Sequence, residues 1–128
     1  MSKLRDRSRG QRPQIAARST GLATSAMRTE ARRDRDEALR ALNRRGPMIY
    51  AIRLEDGLIK IGCSTNVAAR CKQLGGELVA IAFGGWNMEA WLHRTLRPYA
   101  ARGREYYEPH PEVIRVVDEL ATTMEPHP

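Results

Sequence analysis

The 128-residue sequence contains no apolar run of about twenty residues, which is the length that a helix needs to cross a bilayer. We therefore expect no membrane partner for this chain. The basic N-terminus is not followed by an apolar segment of the kind found in secretory signals, so we expect no such signal either.

Cysteine is scarce, since the chain holds only Cys63 and Cys71. A secreted chain of this size usually carries more cysteines, at spacings that form a disulfide framework. We therefore predict two reduced thiols that act as small core residues in a cytoplasmic protein. The CxxC and HxxxH spacings of zinc sites are also missing, so zinc is not expected.

Positive charge is abundant but unevenly distributed. The chain has a net charge of +7; residues 1–46 carry 13 Lys and Arg against 5 Asp and Glu, whereas residues 47–128 carry 9 against 10. Most basic residues of the first part are arginines, whose planar guanidinium can bond two phosphate oxygens at once. This excess predicts a polyanionic partner, most simply nucleic acid. The alternatives are a solvated arm that binds nothing and an arm that binds another protein.

The basic part divides into two segments. Residues 1–26 have almost no large apolar side chains, so we predict a disordered arm. Residues 27–46 favour a weakly amphipathic basic helix and linker, with Leu39 and Leu42 on its apolar stripe and an end at Gly46. The arginines expected to bind nucleic acid are Arg32, Arg33, Arg35, Arg40, Arg44 and Arg45.

Residues 47–122 are predicted to form the folded domain, followed by a tail at 123–128. The apolar runs "MIYAIRL" and "LIKIG" are separated by turn residues that include Asp56 and Gly57, which is a strong β-hairpin pattern. Strand and helix patterns then alternate in the order β-β-α-β-α-(β)-α. We therefore predict an α+β fold with a small central antiparallel sheet flanked by helices.

The elements after the hairpin are predicted from caps and apolar periodicity. They are a helix at 67–74 capped by Ser64 or Asn66, a strand at 77–83, a helix from an Asn87 cap to about Ala101, a short edge segment at 104–108, and a last helix from Pro111.

Five chemically active side chains are expected to converge in this domain. The hairpin brings Tyr50 and Lys60 close together, and Arg70 projects from the helix that follows. Glu89 and His93 are four residues apart and so share one face of the next helix. A base, a carboxylate for a divalent metal and cations for phosphate oxygens are the groups that phosphodiester hydrolysis uses.

The segments that carry these residues resemble the GIY-YIG nuclease superfamily over about residues 47–108. "PMIYAI" is similar to its first signature, with Met48 where a glycine is usual. "IKIGCSTNVAAR" is similar to the second, with Lys60 in place of a tyrosine and Arg70 at the arginine of the family's helix. The Lys-Ile-Gly form is that of phage-related and fungal subgroups.

Two further segments continue this resemblance. "NMEAWLHRTL" looks like the family's metal-binding helix, with Glu89 at the metal position and His93 completing the Glu-x-x-x-His arrangement of those subgroups. "GREYYEP" is similar to their closing Gly-x-Glu-Trp/Phe segment.

The resemblance implies a metal-dependent endonuclease that uses Mg²⁺ or Mn²⁺ on Glu89, with Tyr50, Lys60, Arg70 and His93 as catalytic residues. Nucleic acid, with DNA favoured, is then the substrate, and a bacterial or phage-infected cell is the setting. Lys60 is expected to lower the Tyr50 pKa or to hold a phosphate. The alternative is a non-catalytic nucleic-acid-binding protein that keeps the fold.

Overall fold

The computed structural model describes residues 21–122 of the chain. Its elements, in chain order, are α1 (Gly21–Asn43), β1 (Met48–Arg53), β2 (Ile59–Ser64), α2 (Val67–Leu74), β3 (Glu77–Phe83), α3 (Trp86–Leu96), a 3-10 turn (Arg97–Tyr99), β4 (Ala100–Arg102), β5 (Tyr106–Tyr107) and α4 (Pro111–Thr122). Among these residues, no helix is both long and apolar enough to span a bilayer.

The chain divides into two compact units, residues 1–36 and residues 37–128. In the first unit the structure describes only helix α1 from residue 21 onward, so most of the predicted arm and the predicted tail at 123–128 lie outside the described residues. Residues 21–26, for which we expected no regular structure, belong to this helix. Arg32 and Arg33 are exposed on it.

The second unit is built on a five-stranded antiparallel sheet with the strand order β3-β1-β2-β5-β4. The α+β fold with a central antiparallel sheet flanked by helices is therefore confirmed. The segment at 104–108 was expected at the edge of the sheet, but β5 lies inside it. It is flanked on its outer side by β4, which pairs with it antiparallel.

Strand β1 is buried and almost entirely apolar from Met48 to Ile52 because both faces of the sheet are covered. Its odd-numbered residues Ile49 and Ala51 pack into one core cluster with α3 and α4, while Tyr50 and Ile52 pack into a second cluster with α2. Side chains alternate between the two faces of a strand, so a strand buried on both sides needs apolar residues throughout. The apolar face predicted for α4 is also confirmed by four buried residues: Val113, Val116, Val117 and Leu120.

The end of helix α1 belongs to this second unit. Leu39 is only 3% exposed and packs in the cluster that contains Tyr50. The side chain of Asn43 donates to the carbonyl of Ser64 at 3.1 Å and accepts from the backbone N–H of Val67 at 2.8 Å. A domain boundary at residue 47 leaves out both residues, whereas the structure places them among the contacts that hold α2 against the sheet.

Helix α2 has the predicted bounds and Asn66 as its cap, with the side-chain oxygen accepting from the N–H of Ala69 at 3.1 Å. Helix α3 differs from the prediction at both ends. Gly85, not Asn87, occupies its N-cap position, and the helix ends at Leu96. Pro98 accounts for the early end, because proline has no backbone N–H to donate to the carbonyl four residues earlier and its ring crowds that carbonyl.

Candidate active site

A polar cavity of about 430 Å³ opens at the end of the sheet where β2, α2, α3 and β5 meet. It holds four of the five predicted side chains, and His93 lies beside it. Its lining residues are Tyr50, Lys60, Cys63, Arg70, Leu74, Trp86, Glu89, Glu105 and Tyr106.

Tyr50 occupies the cavity because the residue opposite it on β2 has no side chain. Tyr50 pairs across the strands with Gly62, and its ring lies directly over that glycine. A Cβ at residue 62 would lie 2.5 Å from Tyr50 Oη and 2.7 Å from Cζ, closer than any real contact allows. The glycine in "IKIG" therefore makes room for the tyrosine in "MIY".

The pKa of Tyr50 is raised above its ordinary value, chiefly because burial disfavours the charged phenolate. Arg70 opposes this effect, and the Glu89 carboxylate adds to it. The expectation that Lys60 lowers this pKa is wrong, since burial outweighs the nearby positive charge and Arg70 is the cation that acts against it.

Lys60 is buried and its charge is already matched. It lies on the same face as Tyr50, with Nζ 5.9 Å from the centre of the Tyr50 ring and 5.3 Å from that of Tyr106. Its ammonium forms an ion pair with the carboxylate of Glu105. Burial lowers the pKa of Lys60, and Glu89 opposes that shift.

Glu105 and Tyr106 are site residues that the sequence-based selection missed. The segment that contains them was noticed for its resemblance, but a Glu-Tyr pair carries no chemical pattern of its own. Their position depends on the pairing of β5 with β2, in which Lys60 is opposite Tyr106. Such a pairing joins residues 46 positions apart, so local sequence patterns do not indicate it.

Arg70 is an exposed cation at the wall of the cavity. Its guanidinium donates to the side-chain oxygen of Gln73 at 3.1 Å, and it forms no ion pair with a carboxylate among the described residues. Glu77, the acid nearest to it in sequence, is instead 4.0 Å from Arg53. Most of the hydrogen-bonding capacity of Arg70 is therefore available to an anion in the cavity.

Glu89 and His93 face each other across one turn of α3. Their closest atoms, Glu89 Oε2 and His93 Nε2, are 3.8 Å apart, which is too long for a hydrogen bond. Burial lowers the pKa of His93, and the Glu89 charge opposes this shift. The hydroxyl of Tyr107 donates to the carbonyl of Arg104 at 2.6 Å, so its contact with His93 requires a proton on Nδ1.

It follows that neutral His93 presents an unprotonated Nε2 toward Glu89. This nitrogen is buried and has no hydrogen-bond partner within the described part of the chain. Buried polar atoms without partners are rare in folded proteins, which makes this one a functional indicator.

The donor groups around Glu89 suit a divalent cation. Glu89 is mostly buried and its carboxylate pairs, within residues 21–122, only with His93 at that long distance. The described residues contain no cluster of three or more His, Cys, Asp or Glu side chains that could hold a metal. A site with one carboxylate suits Mg²⁺, which keeps several water ligands and takes phosphate oxygens for the rest.

Of the arginines predicted to bind nucleic acid, the three in the second unit, Arg40, Arg44 and Arg45, do not line the cavity. Arg40 and Arg44 are exposed at the end of α1, and Arg45 lies 4.9 Å from the centre of the Phe83 ring. Arg35 forms a 2.9 Å ion pair with Asp36.

Comparisons of the chain with protein-family models, with curated proteins and with solved structures find no significant match. The functional assignment therefore depends on the geometry and chemistry of the cavity, together with the motifs that surround it.

Replacing Gly62 with alanine should displace the Tyr50 ring and destabilise the fold by about 1–3 kcal/mol, because the added methyl has no free space. Chemical denaturation of Gly62→Ala measures this cost. Gly85→Ala is the control for an added methyl in open space, since a Cβ there meets nothing closer than Pro47 Cγ at 4.0 Å, and it should lose only the N-cap preference for glycine over alanine.

In a Tyr50→Ala background the Gly62→Ala change should cost much less, because the ring that it displaces is gone. Additive costs in this double-mutant cycle would contradict the direct contact between the two positions.

Proposed function

We propose that this chain is a metal-dependent endonuclease of the GIY-YIG type, which hydrolyses phosphodiester bonds of nucleic acid, with DNA as the expected substrate. The observation that carries the proposal is the convergence of Tyr50, Arg70 and Glu89 on one cavity. These residues come from β1, α2 and α3, and they supply a proton acceptor, a phosphate-binding cation and a metal-binding carboxylate.

Glu89 would hold the divalent ion, and the bound ion would supply Lewis-acid stabilisation of the phosphate oxygens. In this proposal Arg70 binds the same phosphate from helix α2. Its positive charge stabilises the negative charge that grows on the phosphate oxygens. Lys60 contributes less to the phosphate, because its charge is already matched by Glu105.

Tyr50 is the candidate base. The oxygen of the attacking water bonds to phosphorus, and the bond from phosphorus to the leaving sugar oxygen breaks. The water proton goes to Tyr50 Oη, and the leaving sugar oxygen takes a proton from solvent water. This role needs the phenolate, which burial disfavours and Arg70 favours. Because the pKa of Tyr50 is raised, the reactive fraction grows as the pH rises toward that pKa, and the rate should grow with it.

His93 is better placed to act beside Glu89 than on the substrate. Its Nε2 is buried and aimed at Glu89, and its Nδ1 is fixed by the hydroxyl of Tyr107. An unprotonated Nε2 has no proton to donate to the Glu89 carboxylate, so in this proposal His93 would complement the divalent ion held by Glu89.

Replacing Glu89 with glutamine keeps the shape and removes the charge, so cleavage should fall by at least about 10²-fold, since charge stabilisation at the phosphate is lost. Binding of an oligonucleotide should change by only a few-fold. Glu55→Gln, an exposed loop carboxylate outside the cavity, is the matched control and should cut normally.

Binding of Mn²⁺, followed by electron paramagnetic resonance, should be lost in Glu89→Gln and kept in the control. If Glu89→Gln cuts normally, the metal assignment is wrong. If the unmodified protein binds nucleic acid and metal yet never cuts, the non-catalytic binding protein is supported instead.

The basic N-terminal part supplies long-range attraction to phosphate in this proposal. Residues 1–36 carry ten Lys and Arg against four Asp and Glu, a net charge of +6. Removing them spares Leu39 and Asn43, so the second unit should stay folded. The log-log salt dependence of DNA binding should become less negative by about 5, if each net charge neutralises about one phosphate.

A full-length variant with Arg32, Arg33 and Arg35 changed to glutamine should give about half of that change in slope. Fluorescence anisotropy at several salt concentrations measures both. An unchanged slope after truncation would show that the arm does not touch nucleic acid, and would favour a protein partner for it.

A further inference from the structure

A second cavity, of about 700 Å³, lies next to the candidate active site. The second half of α3, the 3-10 turn after it and the loop between β4 and β5 form its walls. Arg94, Arg97 and Arg104 line it, and His93 and Glu105 lie where it adjoins the first cavity. Glu105 lines both cavities, so the two are neighbours along one surface.

The three arginines of this cavity are exposed and carry uncompensated charge. None of them forms an ion pair with a carboxylate within residues 21–122. The only carboxylate in the cavity wall, Glu105, is already engaged with Lys60.

Three other arginines of the second unit are paired with acids. Arg53 pairs with Glu77, Arg102 with Asp56, and Arg115 with both Glu112 and Glu119. Arg40, Arg44 and Arg45 also lack an acid partner within residues 21–122, but they belong to the basic segment that is predicted to bind nucleic acid. Within residues 21–122, no acid is paired with the three arginines of the second cavity, and this favours a ligand that brings its own negative charge.

The end of helix α3 accounts for only part of this charge. Cations near a helix C-terminus interact favourably with its partial negative charge, which suits Arg94 and Arg97. Arg104 comes from the loop between β4 and β5, where no helix ends, yet it faces the same space. Two separate chain segments thus place arginines in the wall of one cavity.

We infer that this arginine-lined cavity binds backbone phosphates of the nucleic-acid strand that flank the phosphodiester held in the active site. The inference rests on the proposed function, which places the phosphodiester to be cleaved at Tyr50 and Arg70. One guanidinium group can donate hydrogen bonds to two oxygens of the same phosphate. Contacts to the nucleic-acid backbone fix the position of a strand without reading its sequence. The cavity would set which bond of the bound strand faces Tyr50 and Arg70.

The test compares two double variants of the full-length protein, each lacking two positive charges. Arg97→Gln with Arg104→Gln removes one arginine from each wall of the cavity. Arg53→Gln with Arg115→Gln removes two paired arginines elsewhere. Oligonucleotide binding is measured by anisotropy over a range of salt, in a Glu89→Gln background so that no substrate is cut.

The cavity variant should make the log-log salt slope less negative by about 2, because about one phosphate contact is lost per arginine. The paired-arginine variant should leave the slope nearly unchanged. Equal changes in the two variants would overturn the inference, since only general charge would then matter. This comparison does not need cleavage, so it stands apart from any failure of the proposed activity.

Position is tested with oligonucleotides in which single phosphates near the cleavage site are replaced by uncharged methylphosphonates. One or two such replacements should weaken binding to the otherwise unmodified protein and have little further effect on the cavity variant. Additive losses at every position would contradict a specific contact.

Inorganic phosphate is the remaining probe, followed through the side-chain NMR signals of Arg97 and Arg104. Weak or absent shifts, together with the slope change, support a strand as the ligand. Saturable shifts with an unchanged oligonucleotide slope would overturn the inference and assign the cavity to a free anion.

Discussion

The contact between the Tyr50 ring and the bare backbone of Gly62 is the constraint on which the candidate site depends. It requires that β1 and β2 pair in one register, because a shift by one residue would turn every side chain of a strand to the opposite face. With that register, Lys60 falls on the same face as Tyr50, two residues from Gly62. The same pairing places Ile49 and Ala51 in the opposite core cluster. Packing of the fold and placement of the phenol are therefore decided together.

Charge in the second unit is divided between pairs that are satisfied and groups that are not. Buried Lys60 and half-exposed Glu105 neutralise each other in the wall of the cavity. Arg70 lacks a carboxylate partner within the described residues, and Glu89 has only the distant Nε2 of His93. A phosphate would neutralise the charge of Arg70, and a divalent cation would neutralise that of Glu89. The unpaired arginines of the neighbouring cavity extend the positive surface away from this centre.

Local patterns in the sequence predicted much of the fold and four of the side chains that meet in the cavity. The hairpin, helix α2 and strand β3 depend on turns, caps and alternation within a few residues, so the sequence displays them directly. The end of α3 was overestimated because an apolar repeat continues past Pro98, which cannot continue the helix. Leu39 was assigned to a separate helix because its partners on β1 and α2 are distant in sequence.

The features of the site that the sequence did not predict also depend on contacts between segments that are distant in the chain. Glu105 neutralises Lys60 only because β5 pairs with β2, and the Tyr50 pKa depends on burial that exists only in the folded chain. Charges alone suggested that Lys60 would govern this tyrosine. Desolvation, which a sequence does not display, is the larger effect.

Phosphodiester cleavage by the purified, unmodified protein is the most direct measurement of the central claim. Nicking of supercoiled plasmid should require Mg²⁺ or Mn²⁺ and stop with EDTA. Its rate should rise by up to about tenfold per pH unit below the Tyr50 pKa, as expected for one deprotonation. Cleavage that persists in EDTA, or a complete absence of cleavage with either metal at every pH, would contradict a metal-dependent nuclease built around Tyr50, Arg70 and Glu89.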